Sequence, residues 1–194
     1  MRINARMIGA GIAAAAAAGV GYMLLSRKEE DAGFSTVTRD GDFSVRDYPG
    51  SLVAEVVVPG LRQAALSVGI NRLADYVLGG ARLGRRLPVF ADGDEDGRGW
   101  RTRMLMPVDA AAVTLLGARE DGVRLRTLPA RRIAVLRFAG QDSDGALDAY
   151  EAELRAWIGA NGLRPAGPVV HAFYNPPFTP APLRRTEVLI PLAA

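Results

Sequence analysis

The stretch YNPPFTPAPLRRTEV, residues 174–188, carries four prolines within seven positions and then changes to an apolar, strand-like pattern. Proline fixes φ and has no backbone N–H, so residues 175–182 are most simply read as a rigid connection between two strands. Residues 185–192 read RTEVLIPL, and residues 101–108 read RTRMLMPV. The likeness of these two segments, 84 positions apart, indicates that the chain repeats a structural unit.

The chain from Phe43 onward extends this twofold repeat. Two β-rich runs, Leu52 to Val58 and Ile133 to Phe138, each end close to a glycine. Each run precedes a helical stripe of apolar residues, and the two stripes align at an offset of 81 positions. The stripes comprise Leu66, Ile70, Leu73 and Val77 in the first half and Leu147, Leu154 and Ile158 in the second.

Two pseudo-symmetric strand-helix-strand-strand repeats predict an α+β fold. Its helices would pack on one antiparallel sheet or on a strongly curved, barrel-like one. A groove between the sheet and the helices, at the junction of the halves, would favour small-molecule binding.

Residues 1–32 read as a signal or anchor segment with a linker, and residues 33–194 as the globular domain. Arg2 and Arg6 precede an uncharged run from Met7 to Leu25. Nineteen helical residues span roughly 28 Å, close to the roughly 30 Å hydrocarbon core of a bilayer. We expect an uncleaved membrane anchor with the globular domain exported to the periplasmic side. A cleaved signal peptide is the alternative, because Ala13 to Ala18 offer small-residue cleavage sites.

The composition narrows the classes of function. The chain has no cysteine, which excludes disulfides, thiolate metal sites and covalent heme attachment of the c type. Its net charge is +3, and after residue 32 eighteen acidic residues accompany twenty arginines that are scattered along the chain. A nucleic-acid partner is therefore not expected.

Four segments carry a resemblance to a known family. The segment from Tyr174 to Val188 resembles the C-terminal signature of the SOUL/heme-binding-protein family, and Phe43 to Pro49 and Ile133 to Gly140 resemble two of its strands. Met106 to Val108 matches the end of a central motif but lacks its usual insertion between Met106 and Pro107. Thr186 also departs from the family, which usually has Asn there.

The resemblance spans residues 34 to 192 and implies a distorted β-barrel flanked by two helices. It also implies non-covalent binding of heme or another porphyrin in an apolar cleft, as a carrier, buffer or sensor and not as an enzyme.

The candidate site residues follow from this expectation. His171 is the sole histidine, and alternation places it with Val169 and Phe173 on one face of a strand, opposite Val170, Ala172 and Tyr174. It is either a half-buried structural residue or an axial heme ligand. Porphyrin propionates need cations at the pocket rim, for which we select the arginines that follow the first helix. The predicted cofactor contacts are Arg82, Arg85 and Arg86, with Leu66, Ile70, Leu73 and Val77 as the apolar floor.

The sequence is also consistent with two other functions. An effector-type module that binds a small molecule or peptide without heme would use the same cleft. An enzyme with Glu187 or Glu55 as base is a further alternative, although no set of nucleophile, base and orienting residue is recognisable.

Asp92 to Gly97 begins like a calcium loop, but position twelve is Arg103 and not Glu, so we interpret it as a flexible acidic loop that joins two strands.

Overall fold

A computed structural model describes residues 33–78, 88–106, 122–175 and 179–193, without the side chains of residues 77 and 78. In these ranges the chain forms nine strands, two long helices and a short 3₁₀ helix. The helices are α1 (Arg62–Leu78) and α2 (Asp144–Ala160), and the 3₁₀ helix is Ala181–Leu183. The strands are β1 (Ser35–Asp40), β2 (Phe43–Tyr48), β3 (Ser51–Pro59), β4 (Val89–Gly93), β5 (Gly99–Leu105), β6 (Arg124–Leu128), β7 (Arg131–Ala139), β8 (Val170–Phe173) and β9 (Arg185–Pro191).

The strands form one curled, antiparallel sheet in the order β1-β2-β7-β9-β8-β4-β5-β3-β6. The predicted α+β class is confirmed, and the sheet corresponds to a half-barrel with two helices. The proline-rich segment joins β8 to β9, which are neighbours in the sheet. Its Asn175 side chain accepts a hydrogen bond from the backbone N–H of Arg185 at 2.6 Å and so fixes the start of β9.

Both faces of the central strands of the sheet are buried, whereas the edge strands β1 and β6 are exposed. On β7, Ala134, Leu136 and Phe138 pack against α2, whereas Ile133 and Val135 belong to an apolar cluster on the other face. We call the face without helices the inner face. Side chains from eight of the nine strands converge in one pocket there, so this face is concave.

The two helices follow their local signals. The Ser143 hydroxyl accepts a hydrogen bond from the backbone N–H of Ala146 and caps α2. The predicted stripe of α2 is buried at all three positions, Leu147, Leu154 and Ile158. In α1, Gly69 permits close packing on β5, because a Cβ there would lie 2.6 Å from the Thr102 hydroxyl oxygen.

Two sequence predictions need comment. The segment from Asp92 to Gly97 is not simply an acidic loop, since Asp92 and Gly93 belong to β4 and the Asp92 side chain is buried. The Asp92 carboxylate can be buried because Arg101 and Arg103 of β5 form ion pairs with it. The predicted anchor, residues 1–32, lies outside the described residues. Neither described helix has the length and apolar character needed to span a bilayer.

Candidate functional site

His171 lies on β8 at the face that packs against the helices, where the predicted alternation holds. Val169 and Phe173 join the α2 core, while Val170, Ala172 and Tyr174 join the inner-face cluster. The imidazole is 5% exposed, and its ring centre is 6.3 Å from that of Trp100. Neither of its nitrogens has a hydrogen-bond partner among the described residues.

The histidine is neutral near pH 7. Burial, with a smaller contribution from the Arg62 charge, lowers the pKa of His171 to about 4, and Glu151, Asp148 and Asp144 of α2 oppose the shift. Neutral imidazole is the form that binds iron. The ring lines neither of the two pockets described below, so a heme iron would have to reach its nitrogens by displacing packed neighbours.

The described members of the predicted apolar floor do not surround an open cleft. Leu66 and Leu73 are buried at 8% and 0% exposure on α1, which packs against β3 and β5, and Ile70 is half-buried. Arg82, Arg85, Arg86 and the side chain of Val77 lie outside the described residues. The role of this set as porphyrin contacts stays a prediction.

The inner face holds a pocket that the sequence reading did not locate. Two X-Pro turns border it, Tyr48-Pro49 before β3 and Leu128-Pro129 before β7, and we call it the two-turn pocket. Its volume is about 30 Å³, enough for one or two water molecules. Apolar side chains form most of its wall, among them Val53, Phe90, Leu105, Ile133, Val170 and Leu189.

Two arginines line this pocket, and they differ in their hydrogen-bond and ion-pair partners. Arg103 donates to Glu55 at 2.7 Å and to Asp92 at 2.5 Å. Arg131 makes no side-chain hydrogen bond or ion pair within the described part of the chain. Burial, together with the nearby Arg103 charge, lowers the pKa of Arg131. The pocket therefore contains one cation without a directly bonded counter-ion.

A second buried network surrounds Glu187 on β9. Arg46 donates to its two carboxylate oxygens at 2.9 and 3.2 Å, Arg185 donates at 2.9 Å, and the Tyr174 hydroxyl donates at 2.7 Å. Burial acts to raise the pKa of Glu187, but the charges and hydrogen bonds of Arg46 and Arg185 outweigh it and lower that pKa. A carboxylate held in this way is ionised, and both of its oxygens already accept hydrogen bonds, so it differs from a free general base.

The acids that the sequence reading considered as bases thus belong to ion networks. Glu55 also contacts Arg101, whose guanidinium reaches Asp92 at 3.1 Å. Burial raises the pKa of Asp92 against the opposing charges of Arg103 and Arg101. Strand alternation gave the face of each residue, but it could not reveal which distant strands bring the charges together.

An open cleft lies at the opposite face, between the β1–β2 turn and α2, and measures about 460 Å³. Phe138 and Tyr150 stack in its wall with ring centres 3.9 Å apart. Its ionisable lining consists of Asp40, Asp42, Glu153 and Arg137. The cleft is large enough for a small molecule, but it is mainly acidic.

A family model described as SOUL heme-binding protein matches residues 29–191. This chain belongs to the SOUL family. The match covers all nine strands and both helices. No curated protein matches the chain.

Solved structures share the fold of this SOUL-family chain at low identity. A hydrolase from Listeria innocua is 14% identical, with 81% of this chain and 94% of that chain covered and a TM-score of 0.57. The C-terminal domain of EcmrR is also 14% identical, with coverage of 78% and 96% and a TM-score of 0.53. At this identity the likeness establishes the fold alone.

A tetrapyrrole fits the described side chains only in part. The SOUL-family expectation needs an apolar surface, cations for the propionates and, for iron, a neutral ligand. Arg131 offers a cation and the neutral His171 a ligand for iron, but the two lie on opposite faces of the sheet. The two-turn pocket is also too small for a macrocycle. The large cleft has aromatic walls, yet its three carboxylates would repel propionates.

Proposed function

We propose that this chain binds heme or a related tetrapyrrole non-covalently, as a carrier, buffer or sensor and not as a catalyst. The observation that carries the proposal is the family match over residues 29–191. Because the sequence contains no cysteine, the macrocycle would be held by apolar contacts and arginines rather than by thioether bonds.

The proposal extends to the symmetry of the domain. From β2 to β6 the strand order is β2-β7-β9-β8-β4-β5-β3-β6. If β2 is exchanged with β6, β3 with β7, β4 with β8 and β5 with β9, the result is the same order read from the opposite end. Each half then contributes one helix, α1 or α2. This order supports a pseudo-twofold repeat whose junction runs through the two-turn pocket.

The proposal also includes a membrane location. The uncharged run from Met7 to Leu25, with Arg2 and Arg6 before it, supports an anchor that holds residues 33–194 at the periplasmic side. A cleaved signal peptide would leave the same domain free in that compartment.

A hemin titration of the full-length chain, followed by Soret absorbance, tests tetrapyrrole binding. We expect saturable one-to-one binding at micromolar hemin. The variant His171→Phe keeps a ring of comparable size and removes both nitrogens, and Arg132→Gln serves as a surface control. If His171 is the axial ligand, its variant alone changes the spectrum and weakens affinity. Absence of saturable binding in the wild-type chain would refute tetrapyrrole binding.

A second candidate function is a small-molecule module that does not bind heme. The observation that favours it is the two-turn pocket, whose wall is mainly apolar and whose volume of about 30 Å³ suits a ligand much smaller than a macrocycle. An unchanged Soret band together with binding of a smaller ligand would support this candidate over the first.

A further inference from the structure

The two-turn pocket holds a positive charge that has no ion-pair partner among the described residues. The carboxylates nearest in the sheet, Glu55 and Asp92, are bonded to Arg103 and also contact Arg101. Arg131 has neither a hydrogen bond nor an ion pair within the residues that the structure describes. Its guanidinium is therefore the free cation of this pocket.

A cation in this apolar pocket lowers the stability of the folded state. Burial removes part of the hydration of this charge, and the attraction of Asp92 and Tyr48 compensates the loss only in part, so the pKa of Arg131 is lowered. The neighbouring Arg103 adds like-charge repulsion. An anion that entered the pocket would relieve both effects, so the electrostatics favour a negatively charged occupant.

The shape and lining of the pocket limit the kind of anion. The planar guanidinium matches the geometry of a carboxylate and bonds it with two parallel N–H groups. The wall around it is apolar, with Val53, Leu105, Ile133 and Leu189 among its side chains. A strongly hydrated ion would lose its water there without replacement, whereas a short hydrocarbon chain would be accommodated.

We propose that the two-turn pocket binds the carboxylate of a small apolar acid, with Arg131 as its anchor. The volume of about 30 Å³ admits the carboxylate group of such an acid and excludes a macrocycle, so the short hydrocarbon chain would lie against the apolar residues at the pocket border. The inference therefore rests on this pocket alone and not on tetrapyrrole binding.

Arginine Nε–Hε signals in NMR spectra of the full-length chain provide the test. Sodium butyrate is the probe, butyramide is its uncharged equivalent, and sodium chloride is added at matched ionic strength as a generic anion. We expect butyrate to shift the Arg131 signal saturably, with a dissociation constant of about 1 mM, and butyramide to leave it unchanged. Chloride at the same concentration should shift it at least fivefold less.

Three variants separate the pocket from general effects of charge. Arg131→Gln removes the anchor and should abolish saturable butyrate binding. Arg132→Gln is the matched control, because the neighbouring Arg132 is half-exposed and pairs with Asp47 at 2.8 Å, away from the pocket. Ser51→Phe fills the pocket from its border and keeps both arginines, so it should also abolish binding.

The outcomes are distinct from those of the hemin titration. Equal responses to butyrate and chloride, or binding that survives both Arg131→Gln and Ser51→Phe, would overturn the proposal. If Arg131→Gln fails to fold, the comparison of butyrate with butyramide on the native chain and the Ser51→Phe variant still decide it. Failure of hemin binding in the wild-type chain leaves the butyrate result unaffected, since the macrocycle does not enter this pocket.

Discussion

At the scale of single residues, Glu187 carries a buried charge that holds two arginines in the interior. It is fully buried between Arg46 and Arg185, so Glu187→Gln leaves two guanidinium groups in the interior without their counter-charge. We expect the free energy of unfolding, measured with urea, to fall by about 3 to 5 kcal/mol. Because the folded pKa of Glu187 is lowered, this contribution is complete above the unfolded pKa and is lost as the pH falls.

The control for this prediction is Glu151→Gln. Glu151 forms an i,i+4 ion pair with Arg155 near the surface, at 2.7 Å. Pairs of this kind contribute about 0.5 kcal/mol or less. Equal losses in the two variants would contradict the distinction between the buried and the surface carboxylate.

His171 gives a second prediction at the residue scale, which concerns pH. Its folded pKa of about 4 lies below the unfolded value of 6.5, so between these values the unfolded chain binds a proton that the folded chain does not. Stability should therefore fall as the pH is lowered through this window, by up to about 3 kcal/mol from this group. Urea unfolding of the wild type and of His171→Phe at several pH values measures it.

The variant should lack this component of the pH dependence and should be the more stable protein at low pH. Identical slopes of unfolding free energy against pH in the two proteins would show that His171 is not a buried neutral base. The same variant enters the hemin titration, so its folding is established before its spectrum is interpreted.

At the scale of elements, α1 packs closely on β5. A Cβ at Gly69 would lie 2.6 Å from the Thr102 hydroxyl oxygen, whereas a Cβ at Gly159 of α2 meets no atom within 4 Å. Alanine is the better helix former by about 1 kcal/mol in both places. We expect Gly159→Ala to stabilise the protein by up to this amount and Gly69→Ala to destabilise it by about 1 to 3 kcal/mol.

Thermal unfolding of the two glycine variants provides the measurement. A gain in stability from both would mean that α1 does not approach β5 closely.

At the scale of the whole molecule, the predicted anchor determines where the domain acts. We expect the full-length chain to sediment with membranes after cell fractionation. Ala16→Glu with Val20→Glu should release it, because each charge at the centre of a spanning helix costs about 3 kcal/mol. The matched control places the same two charges at exposed positions of α2, Ala152→Glu with Ala156→Glu, and should sediment as the wild type does.

Recovery of the unaltered chain in the soluble fraction would contradict the anchor. Recovery there of a shortened chain, lacking the run from Met7 to Leu25, would instead indicate a cleaved signal peptide.

The sequence by itself determined what short-range physics governs. The 3.6-residue period placed Leu147, Leu154 and Ile158 on the buried face of α2, and the two-residue period gave the faces of Val170 and Phe173 correctly. The signature from Tyr174 to Val188 led to the family, because proline spacing and paired arginines are visible without coordinates.

Only the tertiary structure decided which distant residues meet. Arg46 and Glu187 are 141 positions apart, and the turns at Pro49 and Pro129 border one pocket although eighty residues separate them. Periodicity assigns each side chain to a face, but the order of the strands determines which charges become partners. Arg131 was therefore one scattered arginine among many in the sequence, and in the folded sheet it lines an apolar pocket without an ion-pair partner among the described residues.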